Sequence, residues 1–213
     1  MPNQLDSRAL DQADCYAQRF MKAGTYRYTV VAGHGQAIAS DYPFAVVVED
    51  GGAAAEMAQH DIRVRARDRG FDVDRASLTV RIGDMVLWNG GGVPMSFAVV
   101  GEQAFFSSYR MVNECGFSHA FGTAGEVHWA DAYGSGCAGV VRVRDPECKT
   151  HEHLARWQRS LAEGKVVMIS DAKADRTEVE ITTGQTVFFA IVKGPGISIT
   201  DKQLLDVVRY PDY

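Results

Sequence analysis

The sequence predicts an all-β protein of two sandwiches with one or two short helices, and three observations carry that prediction. Apolar and polar residues alternate over many short stretches, Gly, Asp and Asn turns separate them, and the chain repeats itself at a fixed interval. Its 213 residues suffice for one large domain or for two of about 100 residues each.

Alternation predicts strands over Tyr26 to Val31, Phe44 to Val48, Leu78 to Ile82 and Met85 to Trp88. It predicts further strands over Val127 to Trp129, Val140 to Val143, Val166 to Ile169, Val179 to Ile181 and Val187 to Ile191. Arg63, Arg65, Arg67 and Arg69 stand at alternate positions, which makes them one solvated face of a strand. One helix follows Thr150, its N-cap: Leu154, Trp157 and Leu161 form an apolar stripe that Gly164 ends. A weaker helical pattern covers Ala9 to Tyr16.

The repeat organises the rest. Asp74-Arg75 with Gly83 and Val86 recurs as Asp175-Arg176 with Gly184 and Val187, and Pro94 recurs as Pro195. Phe20, Ala23 and Gly24 recur as Phe121, Ala124 and Gly125, always 101 positions on (175 − 74, 195 − 94, 125 − 24). Agreement of separate segments on one offset marks a duplication. The segments run second half, first half, second half, first half of one unit. The expected division is a central domain at 72-145, a second, permuted domain joining 1-50 to 165-213, and a helical connection at 146-164. Closure of the terminal halves in cis is favoured because loop entropy grows slowly with length. Unclosed halves would leave sheet edges that recruit another copy.

A formal charge of -5 and a pI near 5.7 disfavour nucleic acid and anionic membrane as partners. No apolar run nears the ~20 residues that span a bilayer, so direct membrane insertion is not expected. The polar stretch from Met1 to Gln18 carries no export signal and leaves the compartment open. Cys15, Cys115, Cys137 and Cys148 include no CxxC pair, which argues against structural zinc.

The central unit reads DRASLTVRIGDMVLWN at 74-89, GGGVPMSF at 90-97 and FGTAGEVHWADAYGSGCAGVVRVRD at 121-145. It resembles the cupredoxin family, with its G-D-x-V-x-W-x-N strand, V-P-H-like loop, F-x-x-x-G-x-Y-x-Y-x-C hairpin and final G-x-V-x-V strand. A permuted version covers 1-50 joined to 165-213. The resemblance implies two Greek-key sandwiches and, in relatives, a type 1 copper bound by a thiolate, two imidazoles and an axial thioether. Transferred to the central unit, the first histidine position is Met95, the cysteine position is Asp131, and the second histidine position falls near Gly134. The axial position falls near Cys137, Ala138 or Gly139. In the permuted unit the corresponding positions are Gly196, Val30 and the neighbourhood of His34. The type 1 ligands are therefore lost and no cofactor is expected.

The alternative is copper held by unusual ligands, Met95, Cys115, His119 and Cys137, in an electron-transfer or copper-handling protein. Cys115-Gly-Phe-Ser-His119 is similar to the second cysteine and histidine of a binuclear copper motif, with Met111 at its first cysteine. His34, His151 and His153 read as solvated surface, and His128 points away from Asp131. No G-x-S-x-G, P-loop or H-E-x-x-H is present, and Asp84 and Asp131 lack an evident partner, so no enzyme is predicted. An acidic or histidine pair facing across the two domains would mark one. The expected protein is a copper-free docking or structural protein, an accessory subunit of a respiratory or photosynthetic redox complex, or a self-assembling one. Its partner would meet the apolar rim of Pro94, Met95, Ala132 and Tyr133. The resemblance alone favours an extracytoplasmic or periplasmic setting.

Overall fold

Alternating residues become strands wherever a neighbouring strand can pair with them, and nearly every alternating stretch of this chain does so. The computed structural model describes residues 4–34, 41–51 and 57–207. In the first half lie β1 Asp14–Arg19, β2 Gly24–Ala32, β3 Phe44–Glu49, β4 Gln59–Arg67, β5 Gly70–Val73, β6 Ser77–Arg81, β7 Met85–Asn89 and β8 Phe97–Gly101. The second half continues with β9 Met111–Ala120, β10 Gly125–Ala130, β11 Ala138–Arg144, α1 His151–Ser160, β12 Lys165–Ser170 and β13 Lys173–Ala174. It ends with β14 Glu178–Thr182, β15 Thr186–Ile197, β16 Thr200–Asp201 and α2 Lys202–Val207. The protein is all-β, as the sequence predicts.

One eight-stranded sheet, ordered β13-β12-β15-β9-β1-β7-β4-β5, runs the length of the molecule. Two four-stranded sheets, β14-β11-β10-β16 and β6-β3-β2-β8, complete the architecture. Trp88 of β7 meets Tyr28 of β2 edge to face at 5.4 Å, and Phe189 of β15 meets Trp129 of β10 at 5.2 Å. Each small sheet therefore packs on one half of the long one in a sandwich-like arrangement. Removing one such buried aromatic would cost about 3–5 kcal/mol.

The strands divide the chain differently from the 72-145 and 1-50 plus 165-213 assignment, whose outermost residues lie outside the described ones. β3 pairs in parallel with β6, Val46 opposite Leu78, and β11 with β14, Val141 opposite Val179. β1 pairs with β7, so strands within 14–101 pair with one another and strands within 111–201 do likewise, the two sets joined where β1 meets β9. The repeat itself makes the alternatives degenerate, because 77–81 and 178–182 are equivalent partners by pattern. Chain connection decides between them. Only 28 positions separate Glu49 from Ser77 (77 − 49), against 129 from Glu178 (178 − 49), a loop-entropy difference of roughly 1 kcal/mol. The 146-164 segment contains α1 and lies between β11 and β12, within the second set of strands.

At the middle of the long sheet β1 and β9 run antiparallel with Tyr16 opposite Phe117, two positions 101 apart. A pseudo-twofold axis therefore passes between the repeats there. The helical expectation over Ala9 to Tyr16 fails for the same reason. Leu10 bridges to Phe97, and β1 lies between two partners that take up its backbone groups. Thr150 does cap α1, its hydroxyl accepting the His153 amide at 3.2 Å, and the helix ends at Ser160, before Gly164. Arg63, Arg65 and Arg67 are exposed on β4 while Ile62 and Val64 are buried behind them, which is the solvated face expected.

Candidate docking site

The leading segment of each repeat packs on the other repeat. Ser7 and Ser108 stand 101 positions apart and do equivalent work. The Ser7 amide donates to the Ile199 carbonyl (2.9 Å) and its hydroxyl accepts the Ile199 amide (3.1 Å). The Ser108 amide donates to Val99 (3.0 Å) and its hydroxyl accepts the Val99 amide (3.1 Å). This exchange carries Asp6 to β16, opposite Thr200.

Asp6 is the hub of a polar network between the repeats. Arg8 reaches both its oxygens at 2.9 Å, Thr200 donates to it at 3.3 Å, and His34 Nδ1 lies 3.6 Å away. Thr200 joins Ser198 at 3.0 Å, and Ser198 joins Asp131. Asp131, at the position where the resemblance expects a cysteine, accepts the amides of Ser198 (2.8 Å), Tyr133 (3.1 Å) and Ser135 (2.9 Å). Burial alone would raise its pKa, but these donors hold the carboxyl below its usual value. Asp131 thus fixes the loop that displays Ala132 and Tyr133. Asp84 is also a turn holder, accepting the amides of Ala58 and Arg81 and facing His60 at 3.0 Å.

The four expected rim residues sit at two places joined by this network. Pro94 and Met95 are exposed along a cleft of about 650 Å³ that Asp6, Asp11 and His34 also line. Ala132 donates its amide to Ser198 Oγ at 2.9 Å, and the Tyr133 ring lies 4.1 Å beneath the Arg110 guanidinium. Tyr133 is 37% exposed and Met95 49%, so the rim offers an aromatic and a thioether to solvent.

The alternative copper ligands are not brought together among the described residues. Cys115 and His119 are buried on β9, four residues and about 13 Å apart along the strand. Burial pushes the Cys115 thiol up to about 12 and the Cys137 thiol up to about 11. Met95 lies in the cleft, and among the described residues no three His, Cys, Asp or Glu side chains converge. Helix α1 keeps His151 exposed and His153 partly buried.

His119 instead answers the question of a pair across the two units. Its Nδ1 lies 2.6 Å from Asp14 Oδ1, directly opposite on β1, and the two side chains are 3% and 0% exposed. No substrate reaches a pair so enclosed, and Phe121 closes it edge-on at 4.7 Å. Sequence reasoning missed this pair because β9 was not recognised as a strand. Aligning Asp14-Tyr16-Gln18 with Cys115-Phe117-His119 would have shown polar residues at core positions of the repeat.

No family model, no curated protein and no solved structure matches this chain.

Proposed function

We propose that the protein is a non-catalytic, copper-free docking protein of cupredoxin-like, Greek-key build, serving as an accessory subunit of a multi-protein complex, of the redox kind by analogy. The observation that carries this reading is the rim. Met95 and Pro94 stand open beside the Asp6 cleft, while Asp131 and Ser198 spend their hydrogen bonds holding Ala132 and Tyr133 in place. An aromatic, a thioether and an arginine on fixed loops are the residue types that anchor protein interfaces. The positions that a type 1 copper would need hold a turn-forming carboxylate at Asp131 and an exposed thioether at Met95. No helix among the described residues is long and apolar enough to cross a membrane.

Two measurements test the proposal. Elemental analysis and visible spectra after incubation with copper(I) and copper(II) are expected to show no stoichiometric metal and no blue charge-transfer band. A photo-crosslinker at position 95 is expected to trap a defined protein partner in cells, and Tyr133→Ala to reduce trapping at least tenfold. One tightly held copper per chain, or trapping indifferent to Tyr133, would overturn it.

A further inference from the structure

Strand β4 carries a row of guanidinium groups on the outer face of the long sheet. Its inward residues Ile62 and Val64 are fully buried, Arg63, Arg65 and Arg67 are exposed, and Arg69 follows in the turn to β5. β4 is held on both sides, parallel to β7 with Arg63 opposite Asn89 and antiparallel to β5 with Arg65 opposite Asp72. The Arg63 amide donates to Asp74 Oδ1 at 2.9 Å, and the Asp74 amide donates to the Arg63 carbonyl at 3.0 Å. The backbone beneath the row is therefore fixed. Within the row and among the described residues, only Arg67 pairs with a carboxylate, that of Asp72, which leaves Arg63 and Arg65 without a counter-ion.

The fold does not ask for these charges. Arg63 lies beside Asn89 as Met168 of β12 lies beside Ala190, and Asn89 and Ala190 are equivalent positions of the repeat (190 − 89 = 101). Arg63 and Arg65 thus stand where the second repeat has Met168 and Ser170, over inward pairs that are equally buried, Ile62 with Val64 and Val167 with Ile169. The second repeat builds the same strand without a cation at either place. Around the row the outward neighbours are Leu87 and Asn89 of β7 and Gly70 and Asp72 of β5, and a Cβ at Gly91 would meet Arg63 Cδ at 3.9 Å. Asp61 stands on the same face one step before Arg63. None of these neighbours is aromatic, so none offers a ring for a nucleic-acid base to stack on.

We infer that this row binds an extended acidic peptide segment of a partner protein, one that carries carboxylates at alternate positions. Residues of a strand rise ~3.3 Å each, so Arg63, Arg65 and Arg67 follow one another at about 6.6 Å. An extended peptide spaces its alternate side chains by the same step, and its carboxylates meet the guanidiniums in register. Each planar guanidinium can take both oxygens of one carboxylate, which a single point charge cannot do. A long polyanion would run past the row onto Asp61 and Asp72 and the rest of a chain whose formal charge is -5. A segment of a few residues meets the row alone, because charges farther off than about 8 Å are screened. The inference rests on β4 and holds whether or not the rim docks a partner.

Fluorescence anisotropy tests it, with a labelled peptide of about seven residues that has glutamate at every second position, at about 20 and about 150 mM NaCl. Saturable binding is expected at the lower salt and is expected to weaken at least fivefold at the higher. The double variant Arg63→Glu with Arg65→Glu is expected to bind at least tenfold more weakly with unchanged far-UV circular dichroism. Arg156→Glu, an exposed change on α1, and Tyr133→Ala are expected to bind like the parent. A peptide of the same composition with its glutamates adjacent is expected to bind at least threefold more weakly. No saturable binding at the lower salt, equal binding of the two peptides, or an equal loss in Arg156→Glu would overturn the inference. So would tighter binding of a labelled oligothymidylate of matched charge, which would make the face a nucleic-acid surface. A loss in Tyr133→Ala and not in the β4 variant would overturn it too, since the peptide would then sit on the rim.

Discussion

Asp14 faces His119 in a place where neither can be hydrated, and burial pushes its carboxyl from the ordinary 3.8 up to about 6, although the imidazole's hydrogen bond and charge pull the other way. A raised value means that the folded chain keeps a proton between pH 4 and 6 that the unfolded chain has released. The contribution to stability is therefore full below about pH 4 and is lost as pH rises through 6. Asp14→Asn is expected to remove that slope, a change of order 1–3 kcal/mol, seen as urea midpoints of parent and variant that converge or diverge between pH 4 and 7. Asp131 has the opposite sign. Its lowered carboxyl stabilises the fold at neutral pH and loses that contribution as pH falls, so Asp131→Asn should destabilise at pH 7 more than at pH 3. His119→Ala leaves the Asp14 carboxyl buried without its partner and should cost about 3 kcal/mol in the same denaturation assay.

At the scale of the element, burial and pairing explain which strands the sequence discloses. β3, β6, β7, β14 and the first half of β15 alternate cleanly because one face of each meets the core and the other is more exposed. β1 and β9 escape notice for the opposite reason. They sit at the centre of the long sheet, where Tyr16 and Ala17, or Gly116 and Phe117, are buried on successive positions and the period vanishes. The candidate site was legible in part. Proline, methionine and tyrosine at loop positions could be named in advance, whereas Asp6 joins them only through a segment that crosses between the repeats. Gly116→Val tests the central strand: its side chain would meet both the Phe188 ring and the Phe189 carbonyl, 2.9 Å from the Cβ position. A loss of about 1–3 kcal/mol in thermal unfolding is expected.

The whole molecule is held together by exchange as much as by the shared sheet. Leu5 is 1% exposed, and its carbonyl accepts the amide of Asp201 at 2.7 Å, in the second repeat. Phe106, its equivalent 101 positions on, stacks on Trp88 of the first at 5.5 Å. Leu5→Ala should therefore cost about 2–4 kcal/mol, and hydrogen exchange should show β10 and β16 losing protection before β2 and β8. Equal loss in both repeats would mean that the segment does not belong to the second core.

The axis through Tyr16 and Phe117 creates two equivalent slots, one holding Asp14 with His119 and the other Cys115 with Gln18. Two identical subunits meeting at such an axis must fill both slots alike, with two ionisable couples or with none. Covalent fusion lifts that constraint. Gln18 fills its slot with a neutral amide that donates to the carbonyls of Asn113 and Glu114, at 3.1 and 3.2 Å, while the acid and imidazole occupy the other alone. The seam between the repeats therefore answers to pH through one couple on one side, and a proton taken up there acts on the two halves unequally.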